Sequence, residues 1–205
     1  DINGSGVSIT GNEGIDAGQG GVTVAAAAGN ASIAGGSVKG GGSVAVSATG
    51  EAKLTDTLVE GKDITTSGKT GTELKDTTVD GSDVVKVASE ATTQVQESII
   101  RGANTTVSGA ETNIALSEVS ADETVTITST TTAQVINSEL SGDSVNLNGG
   151  TTATNPISGA STTVKAEGTD GMVDMDGKSN TIATAATVTA TTGVELEASV
   201  SNRIE

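Results

Sequence analysis

Apolar positions recur along the chain in a fixed order: an apolar residue, four further residues, a second apolar residue, any residue, and then glycine. Six segments keep this order, one of them with alanine in place of glycine: Ile33/Val38/Gly40, Leu54/Val59/Gly61, Leu74/Val79/Gly81, Val95/Ile100/Gly102, Val135/Leu140/Gly142 and Ile114/Val119/Ala121. Weaker copies are Ile15/Ala17, Thr152/Ile157/Gly159 and Asp170/Met175/Gly177. The second apolar positions lie 17 to 23 residues apart, which predicts a structural repeat of about 20 residues.

Short strands are predicted within each repeat. Five or six residues after most of the second apolar positions stands a β-branched residue, at Val44, Ile64, Val84, Val125 and Val145. Several of these begin a strict alternation, as in Val44-Ala45-Val46, Val125-Thr126-Ile127 and Val145-Asn146-Leu147. Such alternation is typical of half-buried strands. Each repeat therefore contains three short apolar segments separated by polar turns, and the glycine after the second apolar residue is expected to adopt a positive φ.

One coil of a three-sided β-helix explains this pattern, because a single coil cannot bury its apolar face alone whereas stacked coils share a continuous core. A β-sandwich would need turns every 8–12 residues and no recurrence of about 20. Disorder would fit the charge and the polar composition, but the regular apolar spacing argues against it. We therefore predict one all-β solenoid over residues 1–205, with about nine to ten coils of roughly 20 residues. Its coils should be most regular over 30–160 and degenerate over 1–29 and 161–205.

The predicted register has an inside and an outside. The second apolar residues of the regular coils should form one inward stack, made of Val59, Val79, Ile100, Val119 and Leu140. The residues that directly follow them, such as Glu60 and Asp80, should point to solvent.

The stretch from Val38-Lys-Gly-Gly-Gly-Ser-Val-Ala-Val to Leu74-Lys-Asp-Thr-Thr-Val-Asp-Gly-Ser-Asp-Val resembles the haemagglutinin-type repeats of filamentous haemagglutinins. The resemblance covers roughly residues 30 to 160 and lies in pattern and composition. Those repeats form right-handed parallel β-helices in large secreted bacterial adhesins. The resemblance therefore implies a right-handed parallel β-helix and a secreted, adhesive role. The long polypeptide and the secretion domain of that family are not recognisable here.

Composition narrows the function classes. The chain has a formal charge of −16 and no Phe, Tyr, Trp, His or Cys. A core without aromatic residues is thin, which suits an elongated molecule. The negative charge argues against nucleic acid and anionic lipid as partners, and no apolar run is long enough to insert into a membrane. No signal sequence is visible, so the chain is either cytosolic or already processed. We favour the processed form, at an extracellular or cell-surface location.

Catalysis is not expected. Histidine and cysteine are absent and arginine occurs only at Arg101 and Arg203, so nucleophile–base pairs and the basic partners of carboxylate sites are scarce. No cofactor is predicted. The single candidate metal site is an acidic loop with Asp170, Asp174 and Asp176, followed by Asn180. Its oxygen ligands would suit calcium, although the loop lacks the spacing of an EF-hand and its plainer interpretation is a solvated turn.

The function that these features favour is structural. We expect an extracellular subunit that stacks head-to-tail with itself into a surface or matrix filament. Residues 1–12 of one subunit would continue the core of residues 190–205 of the next, through Val7 and Ile9 at one end and Val194, Leu196 and Val200 at the other. The alternative is a repeat segment of a large secreted adhesin that attaches to a host or neighbouring cell.

Overall fold

The structure is a computed structural model that describes residues 1–150, 153–159, 161–183 and 185–205. These residues form 23 β-strands and no helix, and every pair of neighbouring strands is parallel. The described part of the chain therefore has no helix with the length and apolar character needed to cross a membrane. The all-β solenoid predicted from the repeat is confirmed, with about nine turns of about 21 residues.

The strands have the following bounds. The first three coils contain β1 (Ile2–Gly4), β2 (Val7–Thr10), β3 (Ile15–Asp16), β4 (Val22–Ala26), β5 (Ala31–Ala34), β6 (Ser37–Lys39), β7 (Val44–Ala48), β8 (Glu51–Thr55) and β9 (Leu58–Gly61). The central coils contain β10 (Ile64–Gly68), β11 (Gly71–Lys75), β12 (Thr78–Gly81), β13 (Val84–Ser89), β14 (Thr92–Gln96), β15 (Ile99–Ala115) and β16 (Glu118–Ile136). The last coils contain β17 (Glu139–Gly142), β18 (Ser144–Asn148), β19 (Thr154–Ser158), β20 (Thr163–Ala166), β21 (Met172–Ile182), β22 (Thr187–Ala190) and β23 (Gly193–Ile204).

The strands stack into three faces. Face I begins with β1 and continues through β4, β7, β10 and β13. Face II begins with β2 and continues through β5, β8, β11 and β14. Face III begins with β3 and continues through β6, β9 and β12. The long strands β15 and β16 bend around the corners, so that each of them contributes to all three faces.

Columns of aligned apolar residues fill the interior as one continuous cluster. On face III the column consists of Ile15, Val38, Val59, Val79, Ile100, Val119, Leu140, Val164 and Val188. The five residues predicted as an inward stack are consecutive members of it, and each is fully buried. Because β-branched and leucine side chains repeat there at a nearly constant interval, the pattern alone was enough to find the column.

The predicted continuation of this column at Ile157 and Met175 is wrong. Ile157 lies on face II, aligned with Val135, and Met175 lies on face I, aligned with Leu147. The face III column continues instead at Val164 and then at Val188. Longer turns, such as the one before β21, lengthen these coils, so a fixed interval points to the wrong face. Thr152, the first residue of one weak copy, lies outside the described residues.

The predicted inward position of Val84 is also wrong. Val84 is 43% exposed, whereas its neighbour Val85 is fully buried. Val85 aligns with Ile64, and Val84 therefore points out of face I. Two adjacent valines fit an alternating pattern in either register. Only the alignment with the neighbouring coil therefore shows which of them points inward.

Gly159, in one of the weak copies, has the predicted positive φ, but the glycines of the regular coils have a different role. Neither Gly61 nor Gly81 has a positive φ. A Cβ atom on Gly61 would lie 2.8 Å from Val44 Cγ2, and one on Gly81 would lie 2.5 Å from Val85 Cγ2. Glycine is thus needed for the close approach of a buried valine at the corner between faces III and I. Among the non-glycine residues that the structure describes, positive φ occurs between faces II and III, at Asp56, Asp76, Glu97, Leu116 and Asn137.

A ladder of buried hydroxyl groups follows these positive-φ corners. The backbone N–H of Thr77 donates to Ser98 Oγ of the next coil at 3.1 Å, and the N–H groups of Ser98 and Ser117 repeat this bond to the serine one coil further. Each hydroxyl in turn donates to a carbonyl oxygen two residues earlier in its own coil, as Ser98 Oγ does to Gln96 O at 2.7 Å. The ladder satisfies backbone groups that the tight corner withdraws from the sheet.

Two buried hydroxyl groups of the described residues lack such a partner, those of Thr66 and Ser129, and removal of the Thr66 hydroxyl should stabilise the protein. Thr66 lies in a face I column between Val46 and Val87, and its Oγ1 is buried with no hydrogen-bond partner. Thr66→Val removes an unsatisfied polar atom at almost constant volume, so we expect a gain of about 1 kcal/mol in the free energy of unfolding. Chemical denaturation measures it.

Thr105→Val is the matched control for this substitution. Thr105 is also buried on face I, but its Oγ1 donates to Ser120 O at 2.9 Å. Its replacement should cost about 1 kcal/mol. Equal changes in both variants would contradict the assigned difference in hydrogen bonding.

Candidate functional site

The two ends of the solenoid are the sites predicted to carry assembly. Val7 and Ile9 begin the interior columns of face II, where they align with Ala31 and Ile33. At the other end, Leu196 continues an interior column of face I and is half-buried. Its neighbour in the strand Val194 is 42% exposed.

Val200 does not belong to an interior column. It lies at the corner between faces I and II, where the register of β21 and β23 shifts, and it is 66% exposed. The terminal apolar residue of the face II column is instead Ile204, which aligns with Ile182 and is 71% exposed. The alternation in β23 correctly predicted the inward residues Val194 and Leu196, which precede the corner. The prediction for Val200, at the corner itself, is wrong.

Free hydrogen-bonding groups at the ends can be assigned from strand alternation. The N–H of Val7 donates to Asn30 O of the next coil at 2.9 Å, so the backbone of Ser8 faces outward at this end. In face I, Val22 and Val44 also donate to the following coil. Leu196 lies at an equivalent position of the last coil, so its N–H points away from the body of the solenoid.

The faces contain unequal numbers of strands. Over the described residues, faces I and II each hold ten aligned segments, from β1 and β2 to the two halves of β23. Face III holds nine, from β3 to β22. Ile204 thus lies on face II, and face III has one aligned segment fewer than each of the other two faces.

The three aspartates of the candidate calcium loop do not converge. Asp170 is exposed in the turn before β21, whereas Asp174 and Asp176 point outward from face I. There they align with Glu195 and Glu197 of β23, which makes a grid of four carboxylates. Burial raises the pKa of the Asp174 carboxyl, and its neighbours Glu195 and Asp176 raise it further. In the described part of the chain, no three such side chains are placed to hold a metal ion.

Asparagines form a second ladder inside the last coils. Asn155, Asn180 and Asn202 occupy successive positions of one face II column. Asn155 Nδ2 donates to Asn180 Oδ1 at 2.7 Å, and Asn180 Nδ2 donates to Asn202 Oδ1 at 3.0 Å. Asn180 Nδ2 also lies 2.7 Å from the carbonyl oxygens of Met175 and Glu197. Asn180, predicted as an addition to the acidic loop, is thus an interior structural residue.

Charge is distributed unequally among the faces. The central outward column of face III holds six charged side chains in nine positions: Asp16, Lys39, Glu60, Asp80, Arg101, Ser120, Ser141, Lys165 and Thr189. Among fourteen outward positions of face I from β4 to β18, Lys86 is the only charged residue. These positions are Thr23, Ala25, Ala45, Ser47, Thr65, Ser67, Lys86, Ala88, Thr106, Ser108, Thr126, Thr128, Asn146 and Asn148. From β4 to β18, face I is therefore an almost neutral surface of small side chains on a strongly acidic protein, and the carboxylate grid lies beyond it on the last two strands of the same face.

An open groove lies at the corner between faces II and III. It is lined by Leu116 and by residues of the neighbouring coils, including Glu97 and Asn137. Leu116 has a φ of 52° and is 56% exposed. The groove contains hydroxyl, amide and carboxylate groups but no nucleophile–base pair among its described residues.

Comparison with protein families, curated proteins and solved structures finds no match to this chain. The β-solenoid is thus established by the structure alone. Three features of its surface and interior were not predicted from the sequence: the neutral stretch of face I from β4 to β18, the carboxylate grid and the asparagine ladder. Each depends on the alignment of coils of unequal length. The asparagine spacing of 25 and 22 residues was a usable signal.

Proposed function

We propose that this chain is an extracellular structural protein, a β-solenoid subunit that stacks end to end into a surface or matrix filament. The observation that carries the proposal is the continuity of the core. Apolar columns run from the first to the last coil, and residues such as Ile9 and Ile204 lie in the outermost coils of the same column. Such an architecture presents repeated surface along a rod and needs no catalytic site.

The two ends are matched in chemical character when the faces of successive subunits are aligned. Ile9 would cover Ile204 on face II, and Ile2 would cover Leu196 on face I. Outward N–H and C=O groups of the terminal strands would continue the parallel ladder. Because the contact joins two different ends, it propagates instead of closing. The charge of −16 opposes lateral contact between charged faces, and salt or divalent cations would weaken that repulsion.

A second candidate is a repeat segment of a large secreted adhesin, as the resemblance to filamentous-haemagglutinin repeats implies. The unequal numbers of strands on the faces favour it, because they make the end-to-end contact between separate subunits incomplete. Face-aligned stacking leaves a notch one strand deep on face III, about 4.8 Å, and places the amide of Asn202 over Val7. The partner of the adhesin segment would be a host or neighbouring cell surface.

Electron microscopy of the purified chain tests the filament. We expect rods that are multiples of about 45 Å in length, the height of nine to ten coils at about 4.8 Å each. Ser8→Pro and Leu196→Pro remove an outward N–H at each end, so either variant should give single rods. Val7→Pro would not be a clean test, because the N–H of Val7 bonds within the chain.

Ser8→Thr and Leu196→Val are the controls, since they keep the backbone donor and should assemble like the unchanged chain. If light scattering shows the unchanged chain to be monomeric at high concentration and in divalent salts, end-to-end assembly is wrong. The adhesin segment then becomes the favoured function.

A further inference from the structure

Face I contains one unpaired cation and a group of unpaired anions on the same flat surface. Lys86 is exposed and forms no ion pair with the described residues of its own chain. The same holds for Asp174 and Asp176 in β21 and for Glu195 and Glu197 in β23. All six ion pairs of the described chain lie elsewhere. The charges of face I are thus free to meet another molecule.

Lys86 and Asp174 are placed symmetrically among these charges. The outward column through Lys86 continues, one coil at a time, to Thr106, Thr126, Asn146 and Asp174. Lys86 and Asp174 are therefore both two coils away from Thr126. If the order of this column is reversed about Thr126, Lys86 exchanges places with Asp174, and Thr106 exchanges places with Asn146.

We propose that face I is the interface of a two-fold symmetric homodimer, in which two rods lie antiparallel with residues 124–128 of each copy opposed. The two-fold axis runs along this strand, within the interface. Such an isologous contact pairs each position with its reversed counterpart. Lys86 of each copy then faces Asp174 of the other, and Thr106 faces Asn146.

The neighbouring outward column gives independent support. It runs from Val84 through Asn104, Thr124 and Ser144 to Met172, which directly precedes the aligned pair of Val145 and Val173. The same axis places the exposed Val84 against Met172 of the second copy. This contact would cover one of the few large apolar side chains that the described solenoid leaves exposed between its ends.

The size of the contact agrees with a weak, specific dimer. Seven coils at about 4.8 Å by five residues at about 3.3 Å give roughly 560 Å² for each copy. The total of about 1,100 Å² exceeds the roughly 1,000 Å² expected of a biological interface and lies in the range of transient complexes. Small side chains allow the opposed sheets to approach to the usual distance of about 10 Å.

Sedimentation velocity from micromolar to millimolar concentration measures the dimer. Lys86→Glu should weaken association at least tenfold, because it places a further negative charge opposite the carboxylate grid of the second copy. Lys75→Glu is the matched control: it makes the same change in net charge on face II and should leave the dissociation constant nearly unchanged. The exchange of both charges, Lys86→Asp with Asp174→Lys, should restore the dimer.

Crosslinking separates this contact from end-to-end stacking. The chain contains no cysteine, so Thr126→Cys introduces a single thiol at the two-fold axis. A bismaleimide of about 10 Å should link two copies rapidly, and Asn113→Cys on face II should link slowly. Thr126 lies in mid-rod, so end-to-end contacts cannot bring two copies of it together. A monomeric chain at millimolar concentration, equal weakening by Lys86→Glu and Lys75→Glu, or equal crosslinking at the two thiols would each overturn the proposal.

Discussion

Val79→Asp is expected to lower the melting temperature of the chain by on the order of 10–20 °C. Val79 is fully buried in the face III column, between Val59 and Ile100. A carboxyl group there has no hydrogen-bond donor or cation beside it, and the cost of its burial at neutral pH is about 5 kcal/mol or more. Thermal unfolding followed by circular dichroism measures the loss.

Thr78→Asp is the control that isolates orientation, since it introduces the same side chain one residue earlier. Thr78 points outward from face III and is only half-buried, so its replacement should change the melting temperature by a few degrees at most. Replacement of Glu60 should be similarly mild, because its ion pair with Lys39 is 40% and 41% exposed and such pairs contribute at most about 1 kcal/mol. Equal losses from Val79→Asp and Thr78→Asp would contradict the inward and outward assignment.

The fold could be predicted from the sequence because the repeated positions are occupied by apolar side chains, which are strongly favoured in the interior. Val59, Val79 and Ile100 recur at an interval that no turn disturbs. The later coils add residues at their corners, and the same interval then led to Ile157 and Met175 on other faces. When the register of a solenoid is counted along the chain at a fixed interval, each irregular corner adds an error. That error shifts the predicted position of every residue that follows.

The candidate surfaces were harder to predict, because an interaction surface is a property of neighbouring coils. Lys86 and Asp174 are distant in sequence. Their positions on the same column follow only from the alignment of the three strands between them. Val84 was predicted to be inward, and this error concealed the exposed apolar residue of face I. The terminal residues Val7 and Leu196 were placed correctly, since the alternation around them is not interrupted.

The asparagine ladder is the interior feature whose disruption should be as costly as that of the apolar core. Asn180 is nearly fully buried and lies at the centre of the ladder. Its amide nitrogen is surrounded by three acceptors, the carbonyl oxygens of Met175 and Glu197 and Oδ1 of Asn202. Only an amide supplies both these donors and an acceptor for Asn155. The ladder therefore specifies asparagine at this position for its hydrogen bonds and not for its size.

Asn180→Asp is accordingly expected to destabilise the chain by about 3–5 kcal/mol at pH 7, although it hardly changes the side-chain volume. The new carboxylate would face the carbonyl oxygens of Met175 and Glu197, each 2.7 Å from the atom that it replaces. Burial and these acceptors raise the pKa of the introduced carboxyl above its unfolded value of about 3.9.

The pH dependence of Asn180→Asp distinguishes this cause from a packing defect. Because its folded pKa lies above its unfolded pKa, the unfolded state loses its proton first, and the destabilisation grows as pH rises above about 3.9. Below that value the protonated carboxyl donates one hydrogen bond, and part of the stability returns. Urea denaturation at pH 4 and pH 7 should therefore give a larger difference from the unchanged chain at pH 7. Asn113→Asp, on the outward side of face II, should show little of this dependence. If the free energy of unfolding falls by the same amount at both pH values, the effect of the substitution comes from packing alone.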